Sequence, residues 1–133
     1  MTAYLLDTNH ASRLVTIGHP LQQRISQATA AGDRFHLTIL VVTETVFGFS
    51  TLPRAVQNAQ EWSAWRPLLS LLETDEADAL DAARLQVTLR RRGRQLGTVD
   101  ALIAAVALCY NLTLLTTDND FAAVPSLTTA KWT

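Results

Sequence analysis

The chain has 133 residues, 48% of them apolar and 17% charged, with a formal net charge of -1; this suits a folded domain with a genuine core, argues against disorder and removes any bulk attraction to nucleic acid. Its apolar runs are too short and interrupted for a membrane helix of about 20 residues. The first residues carry no basic segment with a cleavage site, and Cys109 is the single cysteine, so a reducing cytoplasm without membrane association is expected.

Met1-Thr2-Ala3-Tyr4-Leu5-Leu6-Asp7 is an apolar run that ends in a carboxylate. It reads as a buried central strand with Asp7 at its C-terminal end, where open α/β sheets place their ligands. Asn9 to Val15 is a short helix ended by the turn signal Gly18-His19-Pro20. Pro20 opens the next helix, in which Leu21, Ile25 and Ala28 recur at helical spacing up to Ala31, before Gly32-Asp33 stops it. Phe35 to Ile39 is the second strand, its end blurred by Leu40-Val41-Val42. A helix runs from Thr43, so Glu44 falls in a first turn just past a strand.

Leu52-Pro53 breaks that helix. From Arg54 to Leu69, the residues Val56, Ala59, Trp62, Trp65 and Leu69 form an apolar stripe; Leu69-Ser70-Leu71-Leu72 is either its last turn or a short strand. Asp75 to Arg92 is helical, with Ala77, Leu80, Ala83 and Val87 on the buried side. Acids stand at its N-terminal end and arginines at its C-terminal end, as the helix dipole favours, and Gly93 closes it. Thr98 caps a helix from Val99 to Tyr110 that carries Asp100 in its first turn, and Asn111 ends it. Leu112 to Thr117 is a strand followed at once by Asp118-Asn119-Asp120-Phe121. Pro125-Ser126-Leu127 makes a turn before a short strand at Leu127 to Thr129. Short apolar strands alternating with helices predict one α/β domain over residues 1–133 with a parallel sheet.

Asp7, Glu44, Asp100 and Asp118 share one feature: each lies at a strand end or in a first helical turn. Right-handed crossovers bring strand C-termini and helix N-termini to one edge of such a sheet, so these acids converge although distant in sequence. Clustered carboxylates repel unless a cation compensates, and hard oxygen donors without paired His or Cys favour Mg2+ or Mn2+ over zinc. A carboxylate in a first turn also serves as plain dipole complementarity. Asp7 is harder to explain that way, because it has no capping duty that Asn9 could not perform.

Other features carry less chemistry. His10, His19 and His36 have no metal-ligand spacing and read as surface or partly buried residues. No serine sits in a G-x-S-x-G setting, Cys109 has no assigned His partner, and no phosphate-loop signature is present. Trp62 and Trp65 read as core or a partner interface rather than a base-stacking platform. The Arg90–Arg94 cluster is either solvated surface or a contact for phosphates.

The blocks Leu5-Leu6-Asp7-Thr8-Asn9, Thr43-Glu44-Thr45-Val46-Phe47-Gly48, Gly97-Thr98-Val99-Asp100-Ala101-Leu102-Ile103 and Leu114-Leu115-Thr116-Thr117-Asp118-Asn119-Asp120-Phe121 come in this order along the chain. Together they resemble the PIN-domain family, in particular the VapC-type toxins of bacterial type II toxin–antitoxin systems. The resemblance covers essentially the whole chain. It implies a three-layer α/β/α domain with a central, mostly parallel sheet, often assembled as a homodimer and restrained by a cognate antitoxin. It also implies metal-dependent endoribonuclease activity.

Asp7, Glu44, Asp100 and Asp118 match the acidic quartet. Asn9 and Thr116 match polar residues near the site, and Asp120 matches an additional acid. The fourth block offers two acids, so Asp118 and Asp120 both stand open as the fourth ligand, with Asp118 favoured because it directly follows the strand. Arg13 and the cluster Arg90, Arg91, Arg92 and Arg94 are candidates to guide the RNA backbone. An aspartyl-phosphate phosphatase fits less well, because it wants a second acid where Asn9 stands. A noncatalytic RNA- or protein-binding scaffold is the alternative from another class.

Overall fold

A computed structural model describes residues 1–133. Strands β1 (Ala3–Leu6), β2 (Arg34–Thr38), β3 (Ser70–Leu72), β4 (Thr113–Leu115) and β5 (Thr129–Ala130) form one sheet in the order β3-β2-β1-β4-β5, and every pairing in it is parallel. Leu5 and Leu6 of β1, and Leu114 and Leu115 of β4, are all fully buried. Neighbouring residues of a strand point to opposite faces, so burial of both members of each pair requires cover on both faces. Helices provide it: α1 (Thr8–Ala11), α2 (Pro20–Ala30), α3 (Ile39–Ser50), α4 (Ala55–Trp65), α5 (Glu76–Arg91) and α6 (Thr98–Cys109). The predicted three-layer α/β/α architecture is the one observed.

The chain runs from β1 outward through β2 to β3, then returns to place β4 on the other side of β1. The crevice between the C-terminal ends of β1 and β4 is therefore the topological switch point, where sheets of this kind bind ligands. α6 leads into β4 and is buried nearly all round, with Ala101, Ile103, Ala104, Ala105, Val106 and Ala107 in the core. It packs mainly against α5. Gly93 at φ 72 and Asn111 at φ 54 follow the ends of α5 and α6, in the left-handed conformation that helix ends favour.

Several expectations change. Leu40-Val41-Val42 belongs to α3 rather than to a blurred strand end, because Thr38 is the N-cap and its Oγ1 accepts from the Val41 N–H at 3.3 Å. Glu44 accordingly lies in the second turn of α3, not the first. Gly97 rather than Thr98 is the N-cap of α6; the Thr98 hydroxyl accepts instead from Gln86 Nε2 at 3.3 Å. The alternatives at Leu69 to Leu72 resolve as strand β3, and the last strand falls at Thr129–Ala130 rather than Leu127 to Thr129.

The apolar stripes on α4 and α5 are only partly core. On α4, Trp62 is buried but Val56 is 69% exposed. On α5, the expected buried row is turned outward, with Leu80 50% and Val87 49% exposed, while Asp78, Ala82 and Leu89 face the core. Periodicity located the helical faces, but the packing partner decided which one went inside.

Truncating Leu114 removes a fully buried side chain from a strand covered on both faces. Leu114→Ala should destabilise the fold by about 2–5 kcal/mol, read as a lower urea midpoint at unchanged slope. A loss below about 1 kcal/mol would contradict close packing around Leu114.

Candidate active site

The backbone of Asp7 continues the β1–β4 ladder, its N–H donating to Leu115 O at 2.9 Å. The register that pairs Leu6 with Leu115 therefore sets Asp7 beside Thr116. Thr116 Oγ1 donates to Asp7 Oδ2 at 2.7 Å and accepts from the Asp118 N–H at 3.0 Å. Asn9 Nδ2 donates to the same Asp7 oxygen at 3.1 Å and lies 3.4 Å from Thr116 Oγ1. The Thr8 N–H donates to Asp7 Oδ1 at 2.8 Å. Both oxygens of this buried carboxylate are thus held by neighbours, which fixes its orientation. Asp7 rather than Asn9 caps α1.

Glu44 approaches from α3. It is exposed, and its Oε1 accepts from Thr8 Oγ1 at 2.9 Å, which ties it to the residue next to Asp7. Asp100 stands in the first turn of α6, as predicted. Asp118 caps the 3-10 turn Asn119–Ala123, accepting from the Asp120 N–H at 2.9 Å. Asp118 thus anchors the turn while Asp120 is exposed.

The charges add up. Burial, followed by repulsion from Asp7, Asp118, Glu44 and Asp120, pushes the Asp100 carboxyl up from 3.8 to about 6. Asp7, Asp118, Glu44 and Asp120 thus lie within electrostatic reach of Asp100. No protein cation is paired with any of them, since the one ion pair in the chain joins Arg84 to Asp81 on the exposed face of α5. No group of three or more Asp, Glu, His or Cys side chains is preformed to hold an ion. The available donors are nonetheless all oxygens. His10, the nearest histidine in sequence, has its Nε2 taken by the Trp132 N–H at 3.0 Å. Hard oxygen donors with uncompensated negative charge fit a divalent cation of the Mg2+ or Mn2+ type.

None of the predicted arginines forms an ion pair with these carboxylates. Arg90, Arg91, Arg92 and Arg94 are exposed at the end of α5 and in the loop after it. Arg13 is exposed and lines a cleft of about 600 Å3 between the 3-10 turn Ser12–Val15, α3 and α4, together with Thr45, Phe49, Leu52 and Arg54. Trp62 and Trp65 do not wall this cleft. Trp62 is buried, and the Trp65 Nε1–H donates to Glu61 at 3.1 Å.

Two residues absent from the predicted site belong to its framework. Thr8 joins Asp7 to Glu44, and its position inside the Asp7-Thr8-Asn9 block was the available signal. His10, expected at the surface or partly buried, is 0% exposed; burial and the nearby charges of Arg13, Arg24, His19 and Lys131 lower its pKa to about 4. Nothing in local sequence marked it.

Residues 4–127 match the family model described as PIN domain. Ribonuclease VapC2 of Rickettsia felis is 23% identical over 130 residues, 97% of each chain. Among solved structures, the fold is similar to VapBC2 from Rickettsia felis bound to a DNA fragment from their promoter, with TM-score 0.86 at 23% identity over 99% of this chain and 100% of that one. It is likewise similar to DNA-bound VapBC from Salmonella typhimurium, with TM-score 0.84 at 21% identity over the whole of both chains. Mycobacterium tuberculosis VapC20, a sarcin-ricin loop cleaving toxin, aligns with TM-score 0.65 at 17% identity, covering 90% of this chain and 93% of its own. At these identities the structural likenesses establish the fold.

The raised pKa of Asp100 has a stability consequence. Its folded value exceeds 3.8, so the charge is a cost to the native state that is complete above about pH 6 and is relieved as pH falls from there toward 3.8. Asp100→Asn should therefore stabilise the protein at neutral pH by roughly 1–2 kcal/mol, allowing for solvent screening, with the advantage vanishing near pH 4. Thermal melts of both proteins across pH check this. An unchanged or lower melting temperature at neutral pH would show that the acids do not strain the fold.

Proposed function

The chain belongs to the PIN-domain family, and from that premise we propose that it is a divalent-metal-dependent endoribonuclease, acting in the cytoplasm as the toxin of a bacterial toxin–antitoxin pair. The observation that carries this reading is the buried Asp7 carboxylate at the switch point of the sheet, fixed by Thr8, Asn9 and Thr116, tied through Thr8 to Glu44 and within electrostatic reach of Asp100. The similarity to Ribonuclease VapC2 supports RNA as substrate.

Asp7, Asp100 and Asp118 would hold Mg2+ or Mn2+, with Glu44 completing the site. When bound, the ion supplies Lewis-acid activation of water and neutralises charge on the phosphoryl oxygens. Thr116 and Asn9 hold the Asp7 carboxylate in place before substrate arrives, so no reorganisation is needed at the moment of reaction. Glu44, tied to Thr8, orients the attacking water. Asp118 is the fourth acid in this reading, because Thr116 Oγ1 accepts from its backbone N–H and so holds it beside Asp7, whereas Asp120 lies further along the turn that Asp118 caps. Water attacks phosphorus in line and the bond to O3′ breaks, which leaves 5′-phosphate and 3′-hydroxyl ends. Arg13 and the exposed arginines 90, 91, 92 and 94 guide the RNA backbone without reading sequence.

The partners follow from exposed apolar surface. A cognate antitoxin would seat an apolar segment in the cleft beside Phe49, Leu52 and the exposed Ile17; the likeness to VapBC complexes supports such a partner. The outward row of α5 that carries Leu80 and Val87 offers a contact for a homodimer.

Asp7→Asn should abolish cleavage of total bacterial RNA in Mg2+ or Mn2+ while circular dichroism shows an unchanged fold. Undiminished cutting would remove the acids from the chemistry. Arg91→Ala should weaken RNA binding and flatten its dependence on salt by about one unit of slope; an identical salt titration would take Arg91 off the substrate surface.

A further inference from the structure

His10 lies three residues after Asp7, fully buried, in a chain of hydrogen bonds that runs from β5 and the residues after it to the proposed catalytic carboxylate. The Trp132 N–H donates to His10 Nε2 at 3.0 Å. A backbone N–H has only a proton to offer, so Nε2 must be the bare nitrogen and Nδ1 must carry the ring proton. His10 Nδ1 lies 2.7 Å from Asn9 Oδ1 and donates to it. The Thr117 N–H donates to that same amide oxygen at 3.1 Å. With two donors on its oxygen, the Asn9 side chain can face only one way. Its NH2 group points at Asp7 Oδ2 and Thr116 Oγ1. The opposite orientation would set the amide oxygen against a carboxylate and its NH2 against two donors.

We propose that His10 is a positioning residue: as a neutral imidazole it locks the Asn9 amide toward Asp7, and the Trp132 segment locks the imidazole. The inference rests on the nuclease reading of the site. Burial and surrounding cations keep the ring neutral, with a pKa of about 4; an imidazolium would turn a second donor toward the Trp132 N–H. Trp132 is itself pinned. Its ring lies 4.8 Å from Tyr4 and 5.7 Å from Phe35, with the Arg24 guanidinium 4.0 Å above it. The first strand, the second strand and the residues after β5 therefore converge on the aromatic group whose backbone holds His10. The side chain of a residue with no access to substrate thereby controls a carboxylate that has it.

Two measurements test this. Nitrogen-15 spectra of the histidine rings in the wild-type protein should show His10 protonated on Nδ1 and bare on Nε2 at neutral pH. The opposite tautomer, or a charged ring, would overturn the proposal whatever the protein does to RNA. The second is a kinetic cycle on total bacterial RNA in Mn2+. His10→Phe keeps the ring volume and should slow cleavage about 10- to 100-fold at unchanged RNA affinity by filter binding. His10→Gln, which restores a donor and an acceptor, should recover part of the rate. In an Asn9→Ala background, His10→Phe should cost nothing further. Equal losses in both backgrounds would mean that His10 does not act through Asn9. A wild-type protein that cuts no RNA in any divalent metal would defeat the nuclease reading instead, and the tautomer result would stand apart from it.

Discussion

The site depends on one contact, the hydrogen bond from Thr116 to Asp7 across the C-terminal ends of β4 and β1. These strands are neighbours only because the chain reverses its direction of travel across the sheet after β3. Their register brings a hydroxyl and a carboxylate together where the crevice opens. From there the contacts spread outward: Thr116 orients the Asp118 backbone, Asn9 braces the carboxylate from α1, and Thr8 reaches across to Glu44 on α3. A shift of one residue in the β1–β4 pairing would turn Thr116 to the other face and dismantle the arrangement.

Against this precise framework stands a concentration of like charge. Asp7, Asp118, Glu44 and Asp120 press on Asp100 at the sheet edge with no lysine or arginine paired to them. The remainder of the fold must therefore hold together a centre that repels itself. It does so with a core whose strands are covered on both faces and with a helix, α6, that is largely buried and packs against α5. Asp100 sits at the first turn of that buried helix, where the positive end of the helix dipole offsets part of the repulsion. Strain at the edge and dense packing beneath it are two halves of one design.

The outward-facing apolar residues divide by location. Ile17 and Leu52 line the cleft beside α3 and α4, Phe47 and Val56 are exposed on those two helices, and Leu80 and Val87 lie on α5. Their helical spacing looks the same in sequence as that of core residues, which is why the row on α5 reads as a buried side. An apolar row records that something covers it, and nothing in the row says whether the cover belongs to the same chain.

The sequence by itself determined the alternation of strands and helices, the placement of Asp7, Asp100 and Asp118 at strand or helix ends, and the four blocks that carry the family resemblance. These are legible because apolar periodicity, helix stops and acid positions are local properties, spread over a few residues each. The tertiary structure decided the rest: the capping role of Asp7, the second-turn position of Glu44, the orientation of the Asn9 amide and the burial of His10. Thr116 and Asp7 are 109 residues apart, and Trp132 and His10 are 122 apart. Hydrogen bonds over such separations exist only once strand register has been set, and register is a property of two segments together that neither one encodes alone.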